Sequence, residues 1–218
     1  MTRSSVSIVD YGIGNLKSVE NMLVRAGADV VFARTADDVM QADRLILPGV
    51  GAFDSCRRAL GQVVGLESAL HQAIGRGTPL LGICVGMQLL ASSSDEGVLP
   101  GLGIIPGRVR RLSLEGLASG RPLRVPHMGW SSVEPVGLAT LFRNGLDSVN
   151  RFYFVHSYYF DCENAEDTAG VAHYGVRFAA AVEHGNVYGV QFHPEKSHRY
   201  GMRLLRNFAD LTVEAAND

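Results

Sequence analysis

The chain has 218 residues, 46% of them hydrophobic, and a formal charge of -2, so it can bury a substantial core without staples and has no general attraction to nucleic acid. Three cysteines, Cys56, Cys84 and Cys162, are an odd set without paired spacing, which argues against a disulfide framework and for a reducing compartment, the cytoplasm by default. Met1-Thr2-Arg3-Ser4-Ser5 leads straight into Val6-Ser7-Ile8-Val9, too short an apolar run for a signal peptide, and no stretch reaches membrane-spanning length.

Residues 6–10 read as a buried strand, after which Leu16, Val19, Met22, Leu23 and Ala26 recur at helical spacing until Gly27 stops them. Residues 30–33 and 45–47 are further short strands, Leu66, Ala69, Leu70, Ala73 and Ile74 mark a helix ending near Gly75 and Gly77, and residues 79–84 form the next strand. Such alternation predicts a parallel sheet wrapped by helices. From about residue 104 the pattern changes to strand-like segments at 104–112, 131–135, 151–159 and 169–174, with a hairpin through His184-Gly185-Asn186. Leu204, Leu205, Phe208 and Leu211 then share one helical face. The expected fold is α/β: a three-layer, open, mixed and mostly parallel sheet flanked by helices, with an antiparallel C-terminal portion. No linker or repeat divides it, so residues 1–218 are expected to form one domain.

The apolar run before Gly82-Ile83-Cys84-Val85-Gly86, and the helix-like Met87-Gln88-Leu89-Leu90 after it, describe a nucleophile elbow carrying cysteine. A reactive side chain on a sharp strand-to-helix turn needs small neighbours, and a helix N-terminus favours thiolate over thiol. Further on, Gln191-Phe192-His193-Pro194-Glu195 follows another strand-like run and offers a base, His193, with Glu195 to orient it. In that scheme Cys84 attacks a carboxamide carbon and His193 moves protons, which releases ammonia and leaves an acyl thioester. Pro48-Gly49-Val50-Gly51 lies where loops gather at strand ends; Gly49 and Gly51 supply backbone freedom, and the loop with the Val85 N–H is a candidate oxyanion hole.

Blander readings stand beside these. By itself the His193 segment reads as a turn with a solvated carboxylate, and the Gly49 loop as a β-turn. Cys56 and Cys162 read as inert core thiols. Gly12-Ile13-Gly14 after a strand mimics a dinucleotide fingerprint, but Lys17 occupies the third glycine position. His193 and Glu195 lack a third ligand at fixed spacing, so neither a metal nor another cofactor is expected.

The chain resembles the class I (triad) glutamine amidotransferases, and among them the glutaminase subunits of imidazole glycerol phosphate synthase. The segments that carry the resemblance are Asp10-Tyr11-Gly12-Ile13-Gly14-Asn15-Leu16, Leu47 to Phe53, Gly82 to Gln88, Val125-Pro126-His127-Met128-Gly129-Trp130, Phe152 to Tyr158 and Gly189 to Ser197, in order along nearly the whole chain. The resemblance implies that Gln88 and Glu96 hold the amino-acid end of L-glutamine, with backbone contacts from Ser157 and Tyr158. It also implies a heterodimer with a (β/α)8-barrel cyclase subunit that receives the ammonia and without which glutamine turnover is poor, Asn15, Trp130 and Lys196 lying at the interface. Ordinary packing, an edge strand or solvated positions also account for Gln88, Glu96, Ser157, Tyr158, Trp130 and Lys196. Two positions depart from the family pattern: Val85 stands where leucine is usual, and Ser131 where asparagine is common. Other triad amidotransferases, such as those of pyridoxal phosphate or anthranilate synthesis, and a non-enzymatic scaffold of the same fold, are the rival readings.

Overall fold

The computed structural model describes residues 4–113, 123–146 and 149–211. The Met1 to Arg3 part of the leader reading lies outside them. The first half alternates as expected: β1 (Ser5–Val9), α1 (Leu16–Ala26), β2 (Asp29–Ala33), α2 (Ala36–Met40), β3 (Leu45–Gly49), α3 (Phe53–Gln62), α4 (Leu66–Gly75), β4 (Leu80–Cys84) and α5 (Val85–Gln88). The second half is strand-rich: β5 (Ser93–Ser94), β6 (Gly107–Arg111), β7 (His127–Pro135), β8 (Asn150–His156), β9 (Tyr158–Cys162), β10 (Thr168–Tyr174), β11 (Val176–His184) and β12 (Val187–Val190), closed by α6 (His198–Ala209).

The strands lie in the order β2-β1-β3-β4-β12-β11-β10-β7-β8, with β5, β6 and β9 branching from the main path. Pairing is parallel from β2 to β12 and antiparallel from β12 to β8. The central strands β3, β4 and β12 are buried at every residue, as expected where helices cover both faces of a sheet. Helix α1 buries Val19, Leu23 and Ala26, packs against α6, and ends at Gly27, whose φ of 98° lets its N–H reach the Leu23 and Val24 carbonyls.

Four sequence expectations change. Helix α2 is absent from the periodicity reading, although Thr35 and Asp38 form a capping box. Helix α3 is absent from it too; its buried stripe is only Phe53, Cys56 and Leu60, diluted by two arginines and Gly61. The run at 151–159 is two strands, because the chain leaves β8, paired with β7, and after Ser157 enters β9, paired with β6 and β11. Strand β7 begins four residues earlier than 131, where the exposed positions of the alternation carry apolar Met128 and Trp130 in place of polar residues.

Candidate active site

Strand β12 lies beside β4 in parallel register, with Val190 opposite Ile83. Both chains therefore leave the sheet at the same edge, and the segment from Gln191 to Glu195 emerges next to Cys84. Register, rather than anything local to either motif, unites them.

At the elbow Cys84 has φ 54° and ψ -111°, a left-handed backbone that costs a non-glycine residue about 1–3 kcal/mol. Three glycines allow the surrounding chain to close on it. A Cβ on Gly82 would stand 2.7 Å from Gly86 and Met87 backbone atoms, and one on Gly49 would stand 2.5 Å from the Gly86 nitrogen. One on Gly86 would overlap the Leu47 carbonyl oxygen. Gly49 is thus required by the close approach of β3 to the elbow, and not by the backbone freedom expected of it. Gly51, with φ 88° and nothing within 4 Å, does have that freedom.

A pocket of about 370 Å³ opens over the elbow. Val50, Gly51, Cys84, Val85, Gln88, Glu96, Ser157, Tyr158 and His193 all line it, whereas Gly49, paired with Cys84 across β3 and β4, is not part of the lining. The His193 ring is within hydrogen-bonding reach of the Cys84 thiol. Its Nδ1 is 2.8 Å from Glu195 Oε1, with both side chains buried. Burial alone would lower the His193 pKa, but the hydrogen bonds and charges of Cys84 and Glu195 outweigh it and raise the pKa to about 9. The other two thiols are kept protonated: burial pushes Cys56 up, and Cys162 up to about 11.

Helix α5 is a single turn, Val85–Gln88. Its dipole is therefore much smaller than the elbow sequence implies, and the groups that meet the sulfur are side chains. His193 is one. Gln191, to which the sequence reading gives no role, is another: its Nε2 lies 3.8 Å from Cys84 Sγ. A wholly buried carboxamide between Val190 and Phe192 is the signal that marks it.

Gln88 Nε2 donates to the Tyr158 carbonyl at 3.1 Å and to Gln191 Oε1 at 3.0 Å. Glu96 Oε2 accepts from the Phe53 N–H at 2.9 Å, tying the start of α3 to the pocket. The Ser157 carbonyl accepts from the Leu112 N–H, and that of Tyr158 from both Gln88 and His156. Those two carbonyls are committed to the protein.

Behind this turn, two buried imidazoles have fixed tautomers. His156 Nδ1 donates to the Tyr158 carbonyl at 2.8 Å, so His156 Nε2 accepts from His127 Nδ1 at 2.9 Å, and His127 Nε2 accepts from Ser131 Oγ at 2.8 Å. Ser131, the departure from the family pattern, turns inward to this chain. Burial lowers the pKa to about 4 for His127 and about 3 for His156, from an ordinary 6.5. Below pH 6.5 the unfolded chain takes up protons that the folded one refuses, so stability falls toward pH 4. His193 acts in the opposite sense: its contribution is complete below 6.5 and is lost as pH rises through 9. Unfolding free energy should peak near pH 6.5, with limiting slopes of about 1.4 kcal/mol per pH unit for each proton. Urea unfolding at pH 5, 6.5 and 8.5 tests this, and a minimum at 6.5 would contradict it.

Of the three residues assigned to an interface, exposed Trp130 stacks on His198 at 5.4 Å, and Lys196 Nζ lies 5.8 Å over the Tyr153 ring that Trp130 meets edge-on. They share one surface, and Lys196 also reaches the pocket lip. Asn15 is exposed at the start of α1, which packs on the turn holding Lys196. On strand β6, Arg108 pairs with Asp95, and Arg110 with Asp161 at 2.8 Å. Among the described residues no group of three or more His, Cys, Asp or Glu side chains could hold a metal, and no helix is long and apolar enough to cross a membrane.

A cysteine elbow at the edge of a mixed α/β sheet, with a histidine–carboxylate pair delivered beside it, is the arrangement of a triad amidotransferase. The chain belongs to the class I glutamine amidotransferases, whose family model, Glutamine amidotransferase class-I, matches residues 7–211. Within that class it falls among the HisH subunits. The imidazole glycerol phosphate synthase subunit HisH of Bdellovibrio bacteriovorus is 50% identical over 211 residues, covering 94% of this chain and 100% of the relative. That of Moorella thermoacetica is 44% identical, covering 97% of each chain. Among solved structures, PurLQS from Thermotoga maritima matches with a TM-score of 0.66 at 18% identity, over 95% of this chain and 98% of that one. At that identity the match speaks for the fold alone.

Proposed function

We propose that this chain hydrolyses L-glutamine to L-glutamate and ammonia as the glutaminase subunit of imidazole glycerol phosphate synthase, in histidine biosynthesis. The observation that carries the reading is Cys84 at a strained elbow within reach of His193, itself held by Glu195.

Glutamine enters with its carboxamide toward Cys84. The Gln88 carbonyl oxygen, left over once both amino hydrogens are committed, and the Glu96 carboxylate receive the ammonium group. With the carbonyls of Ser157 and Tyr158 occupied, their N–H groups are the backbone partners for the substrate carboxylate. The proton shared by the Cys84–His193 pair rests on His193 as sulfur attacks the carboxamide carbon. The Val85 N–H and the Val50–Gly51 loop stabilise the oxyanion, about 3–4 kcal/mol per donor. The C–N bond then breaks, His193 gives its proton to the departing nitrogen, and ammonia leaves a γ-glutamyl thioester. Water, deprotonated by His193, hydrolyses that thioester to glutamate and restores the thiol. Glu195 holds the ring and offsets its charge throughout.

The chain is a single domain over residues 1–218 and works in the cytoplasm, where its three free thiols persist. Its partner is a (β/α)8-barrel cyclase forming a heterodimer over Asn15, Trp130 and Lys196. The cyclase joins the ammonia to a ribosyl nucleotide, making imidazole glycerol phosphate and an aminoimidazole carboxamide ribonucleotide. An ammonia-release assay with and without the cyclase and its nucleotide ligand tests substrate, chemistry and partnership together. Slow turnover alone and a clear rise on addition are expected. Full turnover by the single chain would overturn the partner dependence, and no ammonia under either condition would overturn the function.

A further inference from the structure

We propose that Gln191 is a catalytic residue, whose side-chain amide donates a hydrogen bond to the Cys84 sulfur and stabilises the attacking thiolate. The proposal rests on the reading of Cys84 as nucleophile and adds a partner for its charge.

Three observations carry it. Position comes from the parallel register: Val190 lies opposite Ile83, so the next residue on each strand, Gln191 and Cys84, emerge side by side, and the Gln191 N–H is anchored on the Ala180 carbonyl at 2.9 Å. Burial comes second. Gln191 has no exposed surface, and a carboxamide in such a place costs about 1–3 kcal/mol for each polar group left unpaired. Orientation comes third and leaves no freedom in assigning the amide ends. The Tyr158 carbonyl only accepts, so the end of Gln88 that meets it, 3.1 Å away, is the amino group. The same amino group meets Gln191 at 3.0 Å, so the Gln191 atom there is the oxygen. The Gln191 amino group is then the end that faces Cys84 Sγ at 3.8 Å. When the thiol proton moves to His193, the negative charge left on sulfur meets this N–H, a charge-assisted contact stronger than any it makes with the neutral thiol. The one-turn α5 adds little there. Gln88, which lines the pocket, thereby also sets the amide that faces the nucleophile.

The test is the pH dependence of Cys84 alkylation by iodoacetamide, a neutral electrophile, on the full chain, read at the Cys84 peptide by mass spectrometry. A Cys84→Ala chain supplies the background. The other titratable groups near the sulfur, His193 with Glu195, Tyr11, Cys56, Glu96, His156 and Lys196, are unchanged between variants, and the Glu variant alone adds a carboxylate. Gln191→Met keeps the length and removes the donor; Gln191→Glu keeps the acceptor for Gln88 and puts an oxygen at the sulfur. The midpoint of the rate profile should rise by about one to two pH units in the Met variant, and rise also in the Glu variant, which provides the reading if the Met variant fails to fold. A folded variant with an unmoved midpoint overturns the proposal alone, whatever its turnover. Absence of Cys84 labelling in the unaltered chain at every pH overturns the nucleophile reading, and this proposal with it.

Discussion

A Cys84→Ala chain should fold like its parent and hydrolyse glutamine roughly 10⁵-fold or more slowly, the loss typical when a covalent nucleophile is removed from a triad. Alanine meets the same left-handed backbone at φ 54° as cysteine does, so the substitution changes chemistry and leaves strain in place. Cys84→Gly separates the two. It should be equally inactive yet more stable than the parent by about 1 kcal/mol, since glycine adopts positive φ without a Cβ penalty. Its melting temperature should therefore be higher by about 2–4 °C for a domain of this size. Ammonia release and thermal melts on the three chains measure both effects. Retained turnover in Cys84→Ala would end the thioester mechanism; a lower melting temperature in Cys84→Gly would mean the elbow is not strained.

The second large effect concerns stability. Gly86→Ala places a methyl group on the Leu47 carbonyl oxygen, with Leu47 and Pro48 backbone carbons 2.9 and 3.1 Å away. No flexible side chain can yield, so β3 and the elbow must separate at the sheet edge that holds the pocket. A cost of about 3 kcal/mol or more is expected, or a fall of roughly 6–12 °C in melting temperature. Gly61→Ala is the contrasting change. Gly61 lies in α3 with only an Arg57 side-chain nitrogen, 3.8 Å away, near its absent Cβ. There alanine should stabilise by about 0.4–1 kcal/mol through helix propensity and a less flexible unfolded chain. Melting curves that failed to separate the two glycines would refute the packing argument.

The difference between these glycines cannot be read along the chain. Gly82 and Gly86 flank a cysteine after an apolar run, a local pattern that already spells a tight elbow. Gly49 carries no such mark: its motif suggests a freely turning loop, and only the pairing of β3 with β4 brings it against the Gly86 nitrogen. Helix α3 illustrates the opposite failure. Phe53, Cys56 and Leu60 keep helical spacing, but three apolar residues among arginines and a glycine make a weak stripe, and tertiary packing stabilises what propensity alone does not. The break at Ser157 is invisible in the sequence because 151–159 is rich in aromatic residues on both sides of it; its two halves differ in the strands they pair with.

Periodicity, turn chemistry and the two short motifs depend on neighbours a few positions apart, so the alternating α/β half, the strand-rich half, the elbow and the histidine–carboxylate pair were all legible from residue order. The contact between His193 and Cys84, the inward turn of Ser131 and the amide of Gln191 at the sulfur depend on β12 returning to lie parallel to β4, and on β7 pairing with β8. Such long-range register is chosen by burial of whole faces when the core closes, a cooperative quantity that no local stretch of sequence contains.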